Sequence, residues 1–194
     1  DLGAQGAPIE PAQLAALRRD EAVAAGKALG AAQFHFFDLP DGSLESVPAL
    51  AGRIAELVRT IRPNVLFCPD PWAAYEAHQD HVVTGKAAAQ AFISTALAQY
   101  PRGTRTQPWQ PEAIGFYFTQ NPNTVVDVTD TFEQKFAAMA LHRTQLNDEL
   151  LAMYRAYFTL QSQQRAAGRG FALGEGLKVL SPLHLHCFVE APQI

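Results

Sequence analysis

Two patterns in the sequence predict an α/β fold with a mostly parallel sheet. Short, continuous apolar runs at residues 34–37 and 65–68 are typical of strands covered on both faces. They alternate with longer segments whose apolar residues recur at helical spacing. Together these patterns predict a Rossmann-like three-layer sandwich with a mostly parallel sheet, built as one domain over residues 1–194.

The first half of the chain divides into two helix–strand pairs. A helix is expected over residues 11–29, because Pro11 suits a first helical turn and Gly30 suits a C-terminal cap. The strand at 34–37 then breaks at the turn sequence 39–42. A second helix is expected over residues 50–61 and precedes the strand at 65–68.

The second half continues the alternation less regularly. A third helix is expected over residues 80–98, and a proline-rich loop follows at 101–111. Strands are expected at 114–118, 124–128 and 179–189, with helical residues at 131–165 between the last two. In a parallel α/β sheet each helix normally links two strands, so we also expect a leading strand that precedes the first helix and is missing from the chain.

Composition narrows the class of protein. The net charge of -4 gives no basic surface, which argues against nucleic acid as a partner. No apolar run is long enough for a membrane span, and no signal-peptide pattern is present, so we expect a cytoplasmic protein without a membrane partner. Cys68 and Cys187 both lie in apolar runs and do not predict a disulfide. A homo-oligomer remains one alternative.

The segment that follows the strand at 65–68 has the most chemistry-bearing side chains. In parallel sheets ligands bind beyond the carboxyl ends of strands. Here the loop from Asp70 leads into a helix that opens with His78 and His81, three residues apart and able to face one metal ion or substrate. Asp80 lies between them and can orient an imidazole. The alternative is that the two histidines only cap the helix.

The other histidines have simpler interpretations. His35 lies in a strand and is expected to be a core or edge residue. His184 and His186 alternate along the last strand and could share a metal, but no third ligand is nearby. His142 is expected to pack or cap a helix. We treat these four residues as structural.

Several stretches resemble one family in the same order along the chain. His78-Gln79-Asp80-His81 is similar to the His-Pro-Asp-His motif of the LmbE-like (PIG-L type) zinc deacetylases, and Asp70-Pro71-Trp72 precedes it as in one branch of that family. The helix with Arg18 and Glu21, the turn at 39–42, and the segments 121–130 and 135–145 are also similar. The resemblance spans about residues 14–180.

The resemblance implies a mechanism and a set of site residues. His81 would be a zinc ligand, and His78 would stabilise the oxyanion and protonate the leaving amine, with Asp80 tuning it. Two further pairs would serve the substrate: Arg18 and Asp41 would bind it, and Trp72 and Tyr75 would wall its pocket. The implied reaction is zinc-dependent hydrolysis of the N-acetyl amide of an amino sugar or glycoconjugate of the GlcNAc type, releasing acetate.

One departure from the family affects the metal site. The family begins with a strand and a His-Pro-Asp-Asp motif, which supplies two zinc ligands and the general base, and this motif is absent from the sequence. Because His81 alone would hold zinc weakly, a separate N-terminal segment would have to complete the site. The alternative is a non-catalytic relative that binds a sugar or nucleotide.

Overall fold

The structure is a computed structural model that describes residues 9–42 and 45–190. Its helices and strands, in chain order, are α1 (Pro11–Ala28), α2 (Val47–Ile61), β1 (Val65–Pro69), α3 (Gln79–Ser94), β2 (Ala113–Tyr117), β3 (Thr124–Asp127), α4 (Phe132–Met139), α5 (Asp148–Ala166), β4 (Gly174–Leu180) and α6 (Pro182–His186). No helix in the described part of the chain is long and apolar enough to cross a membrane.

The first two helices begin and end where the sequence signals them. A proline occupies the first turn of both α1 and α2. Gly30 follows α1 with a φ of 83°, and Arg62 ends α2 in the left-handed region with a φ of 56°. The segment 31–40 differs from prediction, because it has no regular strand structure and His35 is exposed. No strand in the described residues pairs with it, so its aromatic residues alone do not make a strand.

The sheet is mixed rather than mostly parallel. Its strand order is β1-β2-β4-β3. β1 and β2 are parallel, with Val65 opposite Ala113 and Pro69 opposite Tyr117. β4 is antiparallel to β2, with Ile114 opposite Leu180. Only the two ends of β4 are buried, and this half-exposed pattern is characteristic of an antiparallel strand rather than of a doubly covered parallel one.

The distal half differs from prediction in two ways. The helical stretch 131–165 is divided into α4 and α5, because Asn147 caps a new helix by accepting a hydrogen bond from the Leu150 backbone N–H at 2.8 Å. The strand expected at 179–189 ends at Leu180. α6 follows it, opened by Ser181 at the N-cap and a proline in the first turn.

Two compact units make up the chain, and each combines two separate segments. Among the described residues, the first unit contains 9–41 and 126–175, and the second contains 42, 45–125 and 176–190. In the first unit Leu14, Phe132 and Phe136 are buried. Glu21 on α1 accepts hydrogen bonds from the Thr144 backbone N–H at 2.8 Å and from its hydroxyl at 2.7 Å. These bonds join α1 to the turn beyond α4.

The core of the second unit supports the carboxyl end of β1. Its buried residues are Cys68, Ala88, Ala89, Phe92, Ile114, Phe116 and Leu180. Gly85 on α3 lies so close to the Pro69 carbonyl oxygen and to the ring of Pro71 that a Cβ would collide with both. The close approach made possible by Gly85 holds the start of α3 against the end of β1. The loop between them is thereby fixed at both ends.

Candidate active site

The loop from Asp70 to His78 is tied to the adjacent strand end. The Asp70 backbone N–H donates to the Tyr117 carbonyl at 2.9 Å, which continues the β1–β2 pairing by one bond. Farther along the loop, the Gln120 side chain accepts from the Ala74 N–H at 3.2 Å and donates to the Ala74 carbonyl at 3.1 Å. Two anchors therefore position the loop before it enters α3.

His78 and His81 lie side by side at the start of α3. Their rings are stacked, with centroids 4.5 Å apart and planes 15° from parallel. The three-residue spacing thus brings both imidazoles to one side of the helix, as expected. His78 occupies the N-cap position but its side chain makes no capping hydrogen bond. The alternative in which these residues only cap the helix therefore lacks support at His78.

Glu76 holds His81 in place and was missed by sequence reasoning. Its Oε2 lies 3.0 Å from His81 Nδ1, and its Oε1 accepts from the His78 backbone N–H at 2.7 Å. The hydrogen bond from the His81 ring, followed by the one from His78, holds the pKa of Glu76 below its ordinary value. An ionised carboxylate can only accept, so Nδ1 carries the proton, and in the neutral ring Nε2 offers its lone pair to a ligand.

Asp80 lies in the first turn of α3. Its Oδ2 accepts a hydrogen bond from the Gly42 backbone N–H at 2.7 Å. One of its ligand-capable atoms lies within 4.8 Å of one on His78.

Arg18 and Asp41 form an ion pair in the first unit. Arg18 Nη1 lies 3.1 Å from Asp41 Oδ2, and both side chains are mostly buried, at 23% and 29% exposure. Arg18 also borders an open cavity of about 750 Å³ between α1 and the segment 36–40. The structure therefore brings these two residues together from separate elements of that unit.

Trp72 and Tyr75 differ in their surroundings. Trp72 is 58% exposed and its ring meets that of Phe116 edge-on at a centroid distance of 5.5 Å. Tyr75 is 98% exposed and has a φ of 74°, so it walls no pocket in the second unit. Trp72 lines a cleft in the second unit.

Other reactive side chains have structural surroundings. Burial, with a smaller contribution from the negative charge of Asp70, raises the pKa of the Cys68 thiol to about 12. His184 Nδ1 accepts a hydrogen bond from the Ser181 backbone N–H at 3.2 Å, which closes a capping box at the start of α6. In the described part of the chain, His142 Nδ1 is buried and has no hydrogen-bond partner. His142 lies in the turn beyond α4 rather than on a helix.

Comparison with known families identifies the class to which this arrangement belongs. Residues 2–92 match the family model described as PIG-L, GlcNAc-PI de-N-acetylase. This stretch includes Arg18, Asp41, Trp72, His78 and His81. The resemblance to the LmbE-like (PIG-L type) deacetylases is therefore confirmed over residues 2–92.

Individual relatives extend the similarity over most of the chain. The chain is 27% identical over 188 residues to diacetylchitobiose deacetylase of Thermococcus kodakarensis, covering 95% of this chain and 70% of the relative. It is 26% identical over 184 residues to 4-oxalmesaconate hydratase of Pseudomonas putida, covering 85% and 66%. These matches span 66–70% of the length of the two relatives.

A solved structure gives the same result for the fold. The chain matches N,N'-diacetylchitobiose deacetylase from Pyrococcus horikoshii, solved with an inhibitor, at a TM-score of 0.88 and 26% identity. The match covers 96% of this chain and 71% of that one. The mixed α/β fold described above is therefore that of a deacetylase structure.

Proposed function

We propose that residues 1–194 form a single domain of a zinc-dependent hydrolase that removes the acetyl group from an N-acetylated amino sugar, releasing acetate. The observation that carries this proposal is the Glu76–His81 contact beside the stacked His78 ring, at the carboxyl end of β1. The similarity to two proteins named as diacetylchitobiose deacetylases supports the same reaction.

The residues at the start of α3 fit a zinc ion. Metal-binding histidines typically donate their second ring N–H to a carboxylate, and the contact between His81 Nδ1 and Glu76 has this form. His81 would therefore bind zinc through Nε2. Catalytic zinc usually has three protein ligands, and we propose that a separate segment with the family's His-Pro-Asp-Asp motif supplies the others. Bound zinc would polarise the acetamide carbonyl and lower the pKa of its water.

His78 would act on the substrate directly. In its protonated form it would donate a hydrogen bond to the carbonyl oxygen as negative charge develops there, and then a proton to the leaving nitrogen. Asp80, fixed by the Gly42 N–H, would orient the His78 ring. The two residues would thus bind and move one proton while His81 holds the metal.

Substrate binding is assigned to four other residues. Arg18 and Asp41 would hydrogen-bond sugar hydroxyls, because Arg18 borders an open cavity in the first unit and is paired with Asp41. Trp72 would contact the sugar through its open ring. Tyr75 would pack against a bound sugar and wall its pocket, since its side chain is almost fully exposed.

Zinc content and acetate release measured together test the proposal. His81→Ala should lose both zinc and activity, whereas His78→Ala should keep zinc and lose turnover by about 10²–10⁴-fold. His35→Ala is the matched control, because that histidine is exposed and its Nε2 lies 3.4 Å from the Gln33 side-chain oxygen. Equal zinc content in His81→Ala and the parent would overturn the ligand assignment.

The similarity to a hydratase favours one second candidate. A hydratase of this fold would add water to a double bond and release no acetate. Incubation with diacetylchitobiose separates the two, because only a deacetylase produces a free amine from it. A non-catalytic sugar-binding or nucleotide-binding relative would fail both assays and would purify without zinc.

A further inference from the structure

The outer side of α5 carries three large apolar side chains that face solvent. Met153, Tyr157 and Leu160 are 57%, 56% and 57% exposed. Their spacing of four and then three residues places them in one row along the helix, here called the outer stripe. The buried residues of α5 are Ser162 and Ala166, both of which are small. The buried positions of this helix are thus small, while large apolar side chains lie outside.

The opposite side of α5 packs on α4. Arg155 on α5 donates to both carboxylate oxygens of Glu133 on α4, at 2.8 and 2.9 Å, and its guanidinium lies 4.2 Å from the centroid of the Phe136 ring. Nine residues, or about two and a half helical turns, separate Met153 from buried Ser162, so their side chains point to opposite sides. The outer stripe therefore faces away from the core of the first unit.

The outer stripe is complementary to itself when two copies of α5 run antiparallel. If the midpoint of the pair lies between residues 156 and 157, Met153 of each copy lies opposite Leu160 of the other. Ala156 then lies opposite Tyr157, so a small side chain meets a large one. Each of these contacts occurs twice, as a two-fold interface requires. One helix thus supplies both halves of an apolar contact surface.

The charged ends of α5 are complementary in the same arrangement. The first turn carries Asp148 and Glu149, and the last turn carries Arg165. In an antiparallel pair the acidic turn of each copy lies beside the basic turn of the other, whereas a parallel pair would bring like charges together. Glu149 also lies opposite Gln164, whose side-chain amide can donate a hydrogen bond to the carboxylate. Charge therefore favours the antiparallel direction.

We propose that the outer stripe is a docking surface for a second copy of this chain, with two α5 helices paired antiparallel across a two-fold axis between residues 156 and 157. α5 has 19 residues, so the paired helices run side by side for about 28 Å. One helix pair is a small interface among specific protein complexes. We therefore expect a reversible dimer with a dissociation constant on the order of 1–100 µM. This association does not depend on the proposed hydrolase activity.

Sedimentation equilibrium of the purified protein measures the association. The average mass of the parent should rise from that of a monomer toward that of a dimer between about 1 and 100 µM. Leu160→Glu places a carboxylate against Met153 of the second copy and should weaken the association by about tenfold or more. Leu97→Glu is the matched control, because Leu97 is also 57% exposed and lies outside α5. It should associate like the parent.

Thiol cross-linking tests the direction of the pair. The background is Cys187→Ser, which removes the exposed native thiol. Ala156→Cys places the new thiol next to the two-fold axis, so a short bifunctional thiol reagent should join two chains. Gln164→Cys places the two new thiols fifteen residues apart along the antiparallel pair, about 22 Å, and the same reagent should not join them. In a parallel pair both variants would cross-link.

Each outcome either supports or overturns the α5 pair. Association that is lost in Leu160→Glu and kept in Leu97→Glu, together with cross-linking of Ala156→Cys but not of Gln164→Cys, supports it. A parent that stays monomeric over the whole concentration range overturns it and leaves the outer stripe to a different polypeptide. A dimer that Leu160→Glu does not weaken overturns it by placing the interface elsewhere. Cross-linking of Gln164→Cys overturns the antiparallel arrangement.

Discussion

Replacing Glu76 with glutamine tests whether the carboxylate beside His81 serves metal binding. Glu76 uses one oxygen for the His81 ring and the other for the His78 backbone N–H. Glutamine has only one acceptor oxygen, so one of these two bonds must be lost together with the negative charge. Carboxylates that support a ligating histidine contribute about 10–100-fold to metal affinity. We expect Glu76→Gln to weaken zinc binding by that factor.

Competition for zinc with a chromophoric chelator measures this effect directly. Glu112→Gln is the matched control, because Glu112 also accepts one side-chain hydrogen bond, from Asn64 at 3.0 Å, and lies away from the histidines. It should bind zinc like the parent. If Glu76→Gln also bound zinc like the parent while His81→Ala lost it, the carboxylate would have no part in holding the metal.

Three further predictions concern stability and reactivity. Arg59 is 2% exposed and donates to the backbone carbonyls of three residues, so Arg59→Ala should lower the free energy of unfolding by about 3–5 kcal/mol in urea titrations. With a pKa near 12, Cys68 should resist a thiol reagent at pH 8 while exposed Cys187 reacts, giving one labelled thiol per native chain and two after denaturation. Hydrogen bonds from the hydroxyl and then the N–H of Thr129 lower the pKa of Asp127. The contribution of these bonds to stability is therefore present above the ordinary aspartate pKa and is lost as pH falls. The parent should be more stable than Thr129→Val at neutral pH, and this difference in the free energy of unfolding should shrink in acid.

Local sequence signals were sufficient where they coincided with packing. α1, α2, β1 and β2 follow the expected segments closely, because prolines and apolar spacing mark their limits. The local sequence signals failed where pairing between strands decides the structure. Residues 34–37 have the composition of a strand but no strand partner in the described chain, and β4 has a direction that its composition does not reveal. Ser181 and Pro182 begin a helix, but the surrounding apolar run led to the prediction of a strand there.

The contacts of the candidate site also divide into one that the sequence predicts and one that it does not. The adjacency of His78 and His81 follows from helical spacing, so it could be expected from sequence. Glu76 precedes α3, and no periodicity relates it to His81. Its carboxylate reaches the ring only because the loop turns at Tyr75, which has a positive φ. Contacts of this kind depend on loop geometry and are not readable from residue spacing.

The pairing of Glu21 with Thr144 has a consequence for how the protein is made. The two residues are 123 positions apart, so at about 5–20 residues per second α1 leaves the ribosome roughly 6–25 s before its partner turn is synthesised. During that interval Leu14 and Ala25, which are 2% and 6% exposed in the folded chain, have nothing to cover them. We expect nascent chains that stop near residue 125 to bind chaperones through α1, and chains that extend past α5 to be released.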